Sequence, residues 1–369
     1  MGVASRGAGG EEEVVKSFQQ MLTEDMDWKA DIGRIQMNCI SRQEAESLEI
    51  PFAEIEIYSA LMEMSGDKAP GPDGFTVAFW QNAWDFTKDG AEDLGDFRPI
   101  SLLGGLYKLW AKVLANRLKK VIGKVVSIAQ NAFVMGRQIL DASLIANEVI
   151  DSWQKRKEKG LICKLDIEKA YDSINWNFLM KVLQKMGFGT KWVGWMWSCV
   201  SSAKFSVLVN GVSAGFFPST RGLRQGDPLS LYLFVMGMEV LDVLIKRAVE
   251  GGYLSGCTIR GGSRTSLNIS HLFFADDTIV FCEASKEQVS HLINLAKSEI
   301  ISVGEVEEIL ELAAELGCRV GSLPSHYLRL PLGIPNRATS MWDGVEEKVR
   351  RRLALWKRQY ISKGGGSLL

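Results

Sequence analysis

Two acidic stations carry the chemistry open to this chain. One is Lys164-Leu165-Asp166-Ile167-Glu168-Lys169-Ala170-Tyr171-Asp172; the other is Phe274-Ala275-Asp276-Asp277. Carboxylate oxygens are hard ligands and suit magnesium. Two such ions about 3.5–4 Å apart can activate an attacking hydroxyl and hold a phosphoryl group in transfer. Asp166, Asp276 and Asp277 are the candidate metal ligands. An isolated Asp-Asp pair is a weak signal, because surface turns often contain one. Here Leu272-Phe273-Phe274 and Ile279-Val280-Phe281 flank it, which predicts a turn between two core strands. Asp166 follows the apolar stretch Leu161 to Leu165 and is expected at a strand end. The stations converge if those strands are neighbours.

A second group could touch a nucleotide. Arg221-Gly222-Leu223-Arg224-Gln225-Gly226-Asp227-Pro228-Leu229-Ser230 is a glycine-rich loop that feeds a helix. Its glycines permit close backbone approach to a base or sugar, and Pro228 suits a first helical turn. Arg224 and Gln225 could hydrogen-bond a template or incoming nucleotide; the other reading is an ordinary loop-to-helix junction. Tyr171 is either the floor of a nucleotide pocket or a core tyrosine. Lys108, Lys112, Arg117, Lys119, Lys120 and Lys124 cluster, as do Lys348, Arg350, Arg351, Arg352, Lys357 and Arg358. These are solvated helix faces or phosphate-tracking surfaces.

The elements that must position these residues are legible from periodicity and punctuation. Helices are expected over 11–22, 53–64, 75–86, 106–122, 138–157, 177–186, 191–200, 228–249, 306–316 and 342–356. Ser41 with Glu44 three residues on forms a capping-box pattern. Strands are expected at 161–166, 269–274 and 278–281, with a hairpin over 205–217 turned by Asn210-Gly211. Helices alternate with short strands, so the class is α+β. The 369 residues carry 43 basic and 44 acidic side chains, for a net charge of −1. That balance argues mildly against a general nucleic-acid binder. Six cysteines without a Cys-x-x-Cys, beside three histidines, argue against a zinc site. No apolar run is long enough for a membrane span, and the first ten residues lack the apolar core of a secretory leader.

Together these segments resemble the reverse transcriptase of plant non-LTR retrotransposons of the LINE type, from about residue 40 to 363. Phe274 to Asp277 resembles the family's metal-binding box, and Asp166 with Ala170-Tyr171 its first carboxylate box and deoxynucleotide gate. Arg221 to Ser230 resembles its template and nucleotide loop. Asp96 to Leu102, with Arg98, resembles a fingers segment followed by Lys108; Asn131 to Arg137 resembles the next, with Arg137 expected near phosphates. Asn294 to Ser298 resembles the segment whose lysine, here Lys297, approaches the leaving phosphates. Tyr327-Leu328-Arg329-Leu330-Pro331-Leu332-Gly333 resembles the primer grip. The resemblance implies a right-hand polymerase fold with fingers, palm and partial thumb, the palm a small antiparallel sheet backed by helices. It implies an N-terminal extension over 1–40, partly disordered, then fingers with their upstream segment over 41–160, palm over 161–333 and the start of a thumb over 334–369. It also implies two Mg2+ ions, an RNA template, a DNA primer and deoxynucleoside triphosphates, with a nuclear location for a working element. Oligomeric state is left open.

The chain departs from that pattern. The fingers are shortened near 89–90 and the palm near 292–293, which predicts a sheet poorly covered on its helical face. Leu231 and Ile128 stand where the family has proline, and Arg329 where its primer grip has glycine. A positive φ at Arg329 would strain that hairpin. The expectation is an RNA-directed DNA polymerase-like domain with weak or no activity. The alternatives are a non-catalytic nucleic-acid-binding remnant and a relic reading frame with no molecular function.

Overall fold

In the computed structural model the described residues are 8–24, 32–66, 75–82, 84, 105–165, 167, 169–202, 204–209, 212–260, 266–290 and 298–334. They form two compact units that interleave along the chain. One takes Met1–Arg137 and Glu168–Leu244, the other Gln138–Ile167 and Ile245–Leu369. The expected changes of length near 89–90 and 292–293, and the expected helix over 342–356, lie outside the described residues.

The second unit is built on a five-stranded sheet. Its strands are β1 (Gly160–Leu165), β6 (His271–Phe274), β7 (Asp277–Glu283), β8 (Glu299–Val303) and β9 (Arg319–Gly321), in the order β6-β7-β1-β8-β9. β1 lies at the centre, antiparallel to both β7 and β8. The sheet expected to be antiparallel has one parallel edge, β8 with β9. Helix Ile309–Leu316 joins that pair, as a parallel connection requires a crossover. β8 and β9 have no counterpart in the sequence reading: five and three residues are too short to show a period.

Strand alternation sorts the side chains onto two faces. Ile162, Ile279, Phe281, Ile301 and Val303 pack with Ala142, Ala146, Val149, Ile150 and Trp153 of helix Ile139–Arg156. The rings of Trp153 and Phe281 meet edge-on at 6.1 Å. On the other face Leu161, Val280, Cys282 and Ile300 are fully buried. The expectation of a poorly covered sheet is therefore corrected. Helix Lys286–Ser290 lies beside β7, and helix Ile309–Leu316 beside β8 and β9. Two hairpins complete this unit: β4 (Cys257–Arg260) with β5 (Ser266–Ile269), and β10 (Ser325–Tyr327) with β11 (Leu330–Leu332).

The first unit is mainly helical. Ser41 caps helix Arg42–Leu48 through the expected reciprocal bonds with Glu44. Asn175 caps helix Trp176–Lys185 by accepting from the Phe178 amide. Helix Thr190–Ser201, the hairpin β2 (Lys204–Val209) with β3 (Val212–Pro218), and helix Ser230–Glu250 follow the sequence reading to within one to two residues, whereas helix Gly105–Lys119 ends three residues before the expected 122. Leu114, Leu118, Ile122, Leu179, Leu183, Trp192 and Phe234 are among its fully buried large side chains.

Candidate functional site

The acidic turn is the two-residue loop of the β6–β7 hairpin, closed by the Phe274–Asp277 pair. Ala275 has φ +56°, whereas Asp276 has no positive φ. That pattern is a type II′ hairpin turn, which favours glycine at its first central position. Alanine there holds roughly 1–3 kcal/mol of backbone strain, and Ala275 is buried. The strain aims Asp276, half-buried, and Asp277, exposed, out of the end of the sheet. β1 enters from the neighbouring position, with Leu165 opposite Thr278. Asp166 is the next residue along the chain and lies outside the described residues, as do Arg98 and Lys297. Among the described residues no three His, Cys, Asp or Glu side chains gather as a metal site.

The Tyr327–Gly333 hairpin is fastened to the same turn. Tyr327 Oη donates to the Asp277 carbonyl at 3.4 Å. Burial, with Asp277 adding to it, pushes the Tyr327 hydroxyl well above its ordinary range, so it stays protonated. Asn147, from helix Ile139–Arg156, clamps the other end. Its Nδ2 donates to the Pro331 carbonyl at 3.0 Å, and its Oδ1 accepts from the Gly333 amide at 2.8 Å. Leu328 and Arg329 have φ +55° and +63°, a type I′ turn that ordinarily takes Asn-Gly. Arg329 thus stands at positive φ, a conformation that favours glycine. Sequence reasoning passed over Asn147; the available signal was an amide beside the apolar face of an amphipathic helix.

In the first unit, Tyr171 and the Arg221–Ser230 loop are joined through their backbones. The Gly222 amide donates to the Ile174 carbonyl and the Leu223 amide to the Tyr171 carbonyl, each at 2.7 Å. Gly222 has φ +88°, and a Cβ there would stand 2.8 Å from the Asp172 carbonyl oxygen. Glycine is required by both geometry and space. The Tyr171 ring stacks on Phe234 at 4.3 Å. Beside it, burial raises the Asp172 carboxyl, opposed by Lys169. Gln225 and Gly226 are exposed at the loop tip. Arg224 is turned inward: it pairs with Asp227 at 3.3 Å and hydrogen-bonds Tyr107 Oη and the Cys199 carbonyl. Arg137 also serves its own fold, donating to the carbonyls of Val126, Ser127 and Gln130. Burial lowers its pKa, and Glu239 partly restores it.

These features meet their relatives in the sequence comparisons. The family described as reverse transcriptase (RNA-dependent DNA polymerase) matches residues 87–306. The chain belongs to this family. This reverse transcriptase domain is 30% identical over 243 residues to the transposon TX1 uncharacterized 149 kDa protein of Xenopus laevis, a match covering 58% of the chain and 19% of that relative. It is 25% identical over 269 residues to the Pol polyprotein of a type-1 R2 retrotransposable element of Nasonia vitripennis, covering 65% of the chain and 25% of the relative. It is 51% identical over 71 residues to the uncharacterized mitochondrial protein AtMg01250 of Arabidopsis thaliana, covering 19% of the chain and 56% of that protein. The chain thus spans less than two thirds of each relative. A telomerase of Candida tropicalis is similar at TM-score 0.31 and 13% identity, over 49% of this chain and 34% of the telomerase.

Three of the six cations in the first basic cluster are paired with carboxylates within the fold. Lys112 pairs with Glu63 at 2.8 Å, Arg117 with Glu56 at 2.7 Å, and Lys124 with Glu44. Lys108 is half-buried and Lys120 exposed. The second cluster, from Lys348 to Arg358, lies outside the described residues.

Proposed function

We propose that this reverse transcriptase-like domain of retroelement origin performs two-metal nucleotidyl transfer at Asp166, Asp276 and Asp277, weakly. The observation that carries this reading is the register of β1 on β7. With Leu165 opposite Thr278, β1 ends beside the strained turn that bears Asp276 and Asp277, and Asp166 is the next residue in the sequence. The donor set is carboxylate oxygen, which fits magnesium. The two Mg2+ ions, when bound, acidify the primer hydroxyl and stabilise the departing pyrophosphate.

The chain's own residues supply position. In this reading the β6–β7 and β10–β11 hairpins belong to a palm, and the Tyr327–Gly333 hairpin steadies a primer end against the acidic turn, consistent with the Tyr327–Asp277 bond. Tyr171, backed flat by Phe234, excludes a ribose 2′-hydroxyl and selects deoxynucleotides. Gln225 and Gly226 face the template–nucleotide pair. Arg98, Lys108 and Arg137 belong to fingers, the last acting through its loop, and Lys297 donates a proton or charge to pyrophosphate. Template RNA, primer DNA and deoxynucleoside triphosphates are the substrates. The match to an Arabidopsis protein supports a plant origin of the LINE type, and the shortened stretches near 89–90 and 292–293 account for low activity.

The test is primer extension on an RNA template with magnesium and deoxynucleotides. We expect slow extension that Asp276→Asn lowers by on the order of 10³-fold, the loss of several kcal/mol of charge stabilisation. No extension from a chain shown to melt cooperatively would overturn the reading and leave a binding remnant or a relic.

A further inference from the structure

The Gln225-Gly226 tip is only two residues long, and both of its flanks reach the same atom. On one side Arg224 donates to Tyr107 Oη. On the other, Tyr107 Oη donates to Asp227 Oδ2 at 2.6 Å. The hydroxyl uses its acceptor and its donor together. Arg224 and Asp227 also pair directly at 3.3 Å, and the Arg224 guanidinium carbon lies 4.3 Å over the Tyr107 ring. Asp227 is 3% exposed. Its second oxygen accepts from the Leu229 amide at 2.9 Å, at the entry to helix Ser230–Glu250. Gly226, at φ +87° with open space about it, turns the chain between the flanks.

Tyr107 comes from helix Gly105–Lys119, far away in sequence. Its burial beside Asp227 keeps the hydroxyl protonated and thus able to donate. A small cavity beside these groups is lined by Tyr107, Cys199, Arg224 and Asp227, together with Ser219 and Ser230.

We propose that Tyr107 is a positioning residue whose hydroxyl staples Arg224 to Asp227 and so sets the angle at which Gln225 and Gly226 meet the template–nucleotide pair. This rests on the polymerase reading for what the tip touches, and on this fold alone for the staple. The role is separable from packing, because phenylalanine keeps the ring under Arg224 and removes only the bridging atom. It also makes Arg224 a strut rather than a nucleic-acid ligand.

The experiment compares the full chain with Tyr107→Phe, Asp227→Asn and the double variant, each checked for cooperative melting. Hydrogen–deuterium exchange at Leu229 and Ser230 reads the staple without requiring activity. Tyr107→Phe should raise exchange there by about tenfold, the equivalent of one lost hydrogen bond, and the double variant should exceed the larger single effect little, as for residues acting as a unit. Affinity for a short RNA–DNA template–primer, measured by fluorescence anisotropy, should fall about tenfold, and in extension KM should rise more than kcat falls. Unchanged exchange in a folded Tyr107→Phe chain would overturn the staple. Loosened exchange with unchanged affinity and KM would overturn its bearing on nucleic acid. An inactive parent chain would sink the polymerase reading while leaving the exchange result to decide the staple.

Discussion

Of the six non-glycine residues at positive φ among the described residues, three sit in hairpin turns that ordinarily select glycine or asparagine: Ala275 in the acidic turn, and Leu328 with Arg329 in the adjacent hairpin. Each holds a left-handed φ, costing about 1–2 kcal/mol for an L-residue. Ala275 is buried where the sheet presents its carboxylates, so its strain contributes to aiming them. Arg329 is exposed and makes no side-chain bond among the described residues that would offset the cost, so its strain can be relieved at little loss. Arg329→Gly should raise the unfolding free energy by about 1 kcal/mol, with the higher flexibility of glycine in the unfolded chain taking back part of the gain. A urea titration with unchanged slope and a higher midpoint would show it; a lower midpoint would mean that the arginine side chain carries a compensating contact. The strain at 329 was readable in sequence because a missing glycine is a local signal. Asn147 and Tyr107 were not, because an amide or hydroxyl declares its role only through partners that lie far along the chain.

At the scale of elements, the junction between helices Glu54–Met62 and Gly105–Lys119 shows what a cation does inside this fold. Arg117 is 4% exposed. It donates to the carbonyls of Leu48, Ile50 and Pro51 at 2.8, 2.7 and 3.2 Å, forks onto both Glu56 oxygens, and stacks over Phe52 at 3.9 Å. Three carbonyls and a carboxylate thus seal the end of the helix that precedes Pro51. The Arg117 bonds hold the Glu56 carboxyl below its ordinary 4.5, against a smaller opposing effect of burial. A lowered folded pKa means stability present above pH 4.5 that is lost as pH falls through the folded value. Glu56→Gln should therefore cost about 2 kcal/mol at neutral pH, less than a fully buried pair because Glu56 is 24% exposed. The gap from the parent should close as the buffer is taken below pH 4.5, followed by thermal melts across pH. A constant gap would assign the cost to packing. The helices themselves were legible, because the Ser41–Glu44 capping box marks one start and 3.6-residue periodicity runs through their bodies. β8 and β9 were not, because Glu299–Val303 is buried at alternating and consecutive positions alike and Arg319–Gly321 shows mostly exposed residues.

For the whole molecule the question is where a near-neutral polymerase domain finds charge for a polyanion. A net charge of −1 leaves no general excess of cations. The dense basic run from Lys108 to Lys124 reads in sequence as either a solvated helix face or a phosphate surface, because the residues packed against it cannot be seen there. The fold sets acids from two other helices against it: Glu63 borders Lys112, Glu56 takes Arg117 and Glu44 takes Lys124. A carboxylate at hydrogen-bond distance competes with phosphate for the same ammonium, and each such cation displaced from its partner would have to regain that attraction from the nucleic acid. The counterion argument makes this measurable, since every phosphate contact adds about 0.9 to the slope of log affinity against log salt. If Lys112 and Lys124 were phosphate contacts, replacing both with alanine would lower the slope by roughly 1.8. We expect the slope and the affinity for template–primer to stay as in the parent, with little change in thermal stability because both pairs are partly exposed. A fall in slope of that size would instead restore this helix as a nucleic-acid surface and strengthen the case for a binding role independent of Asp276.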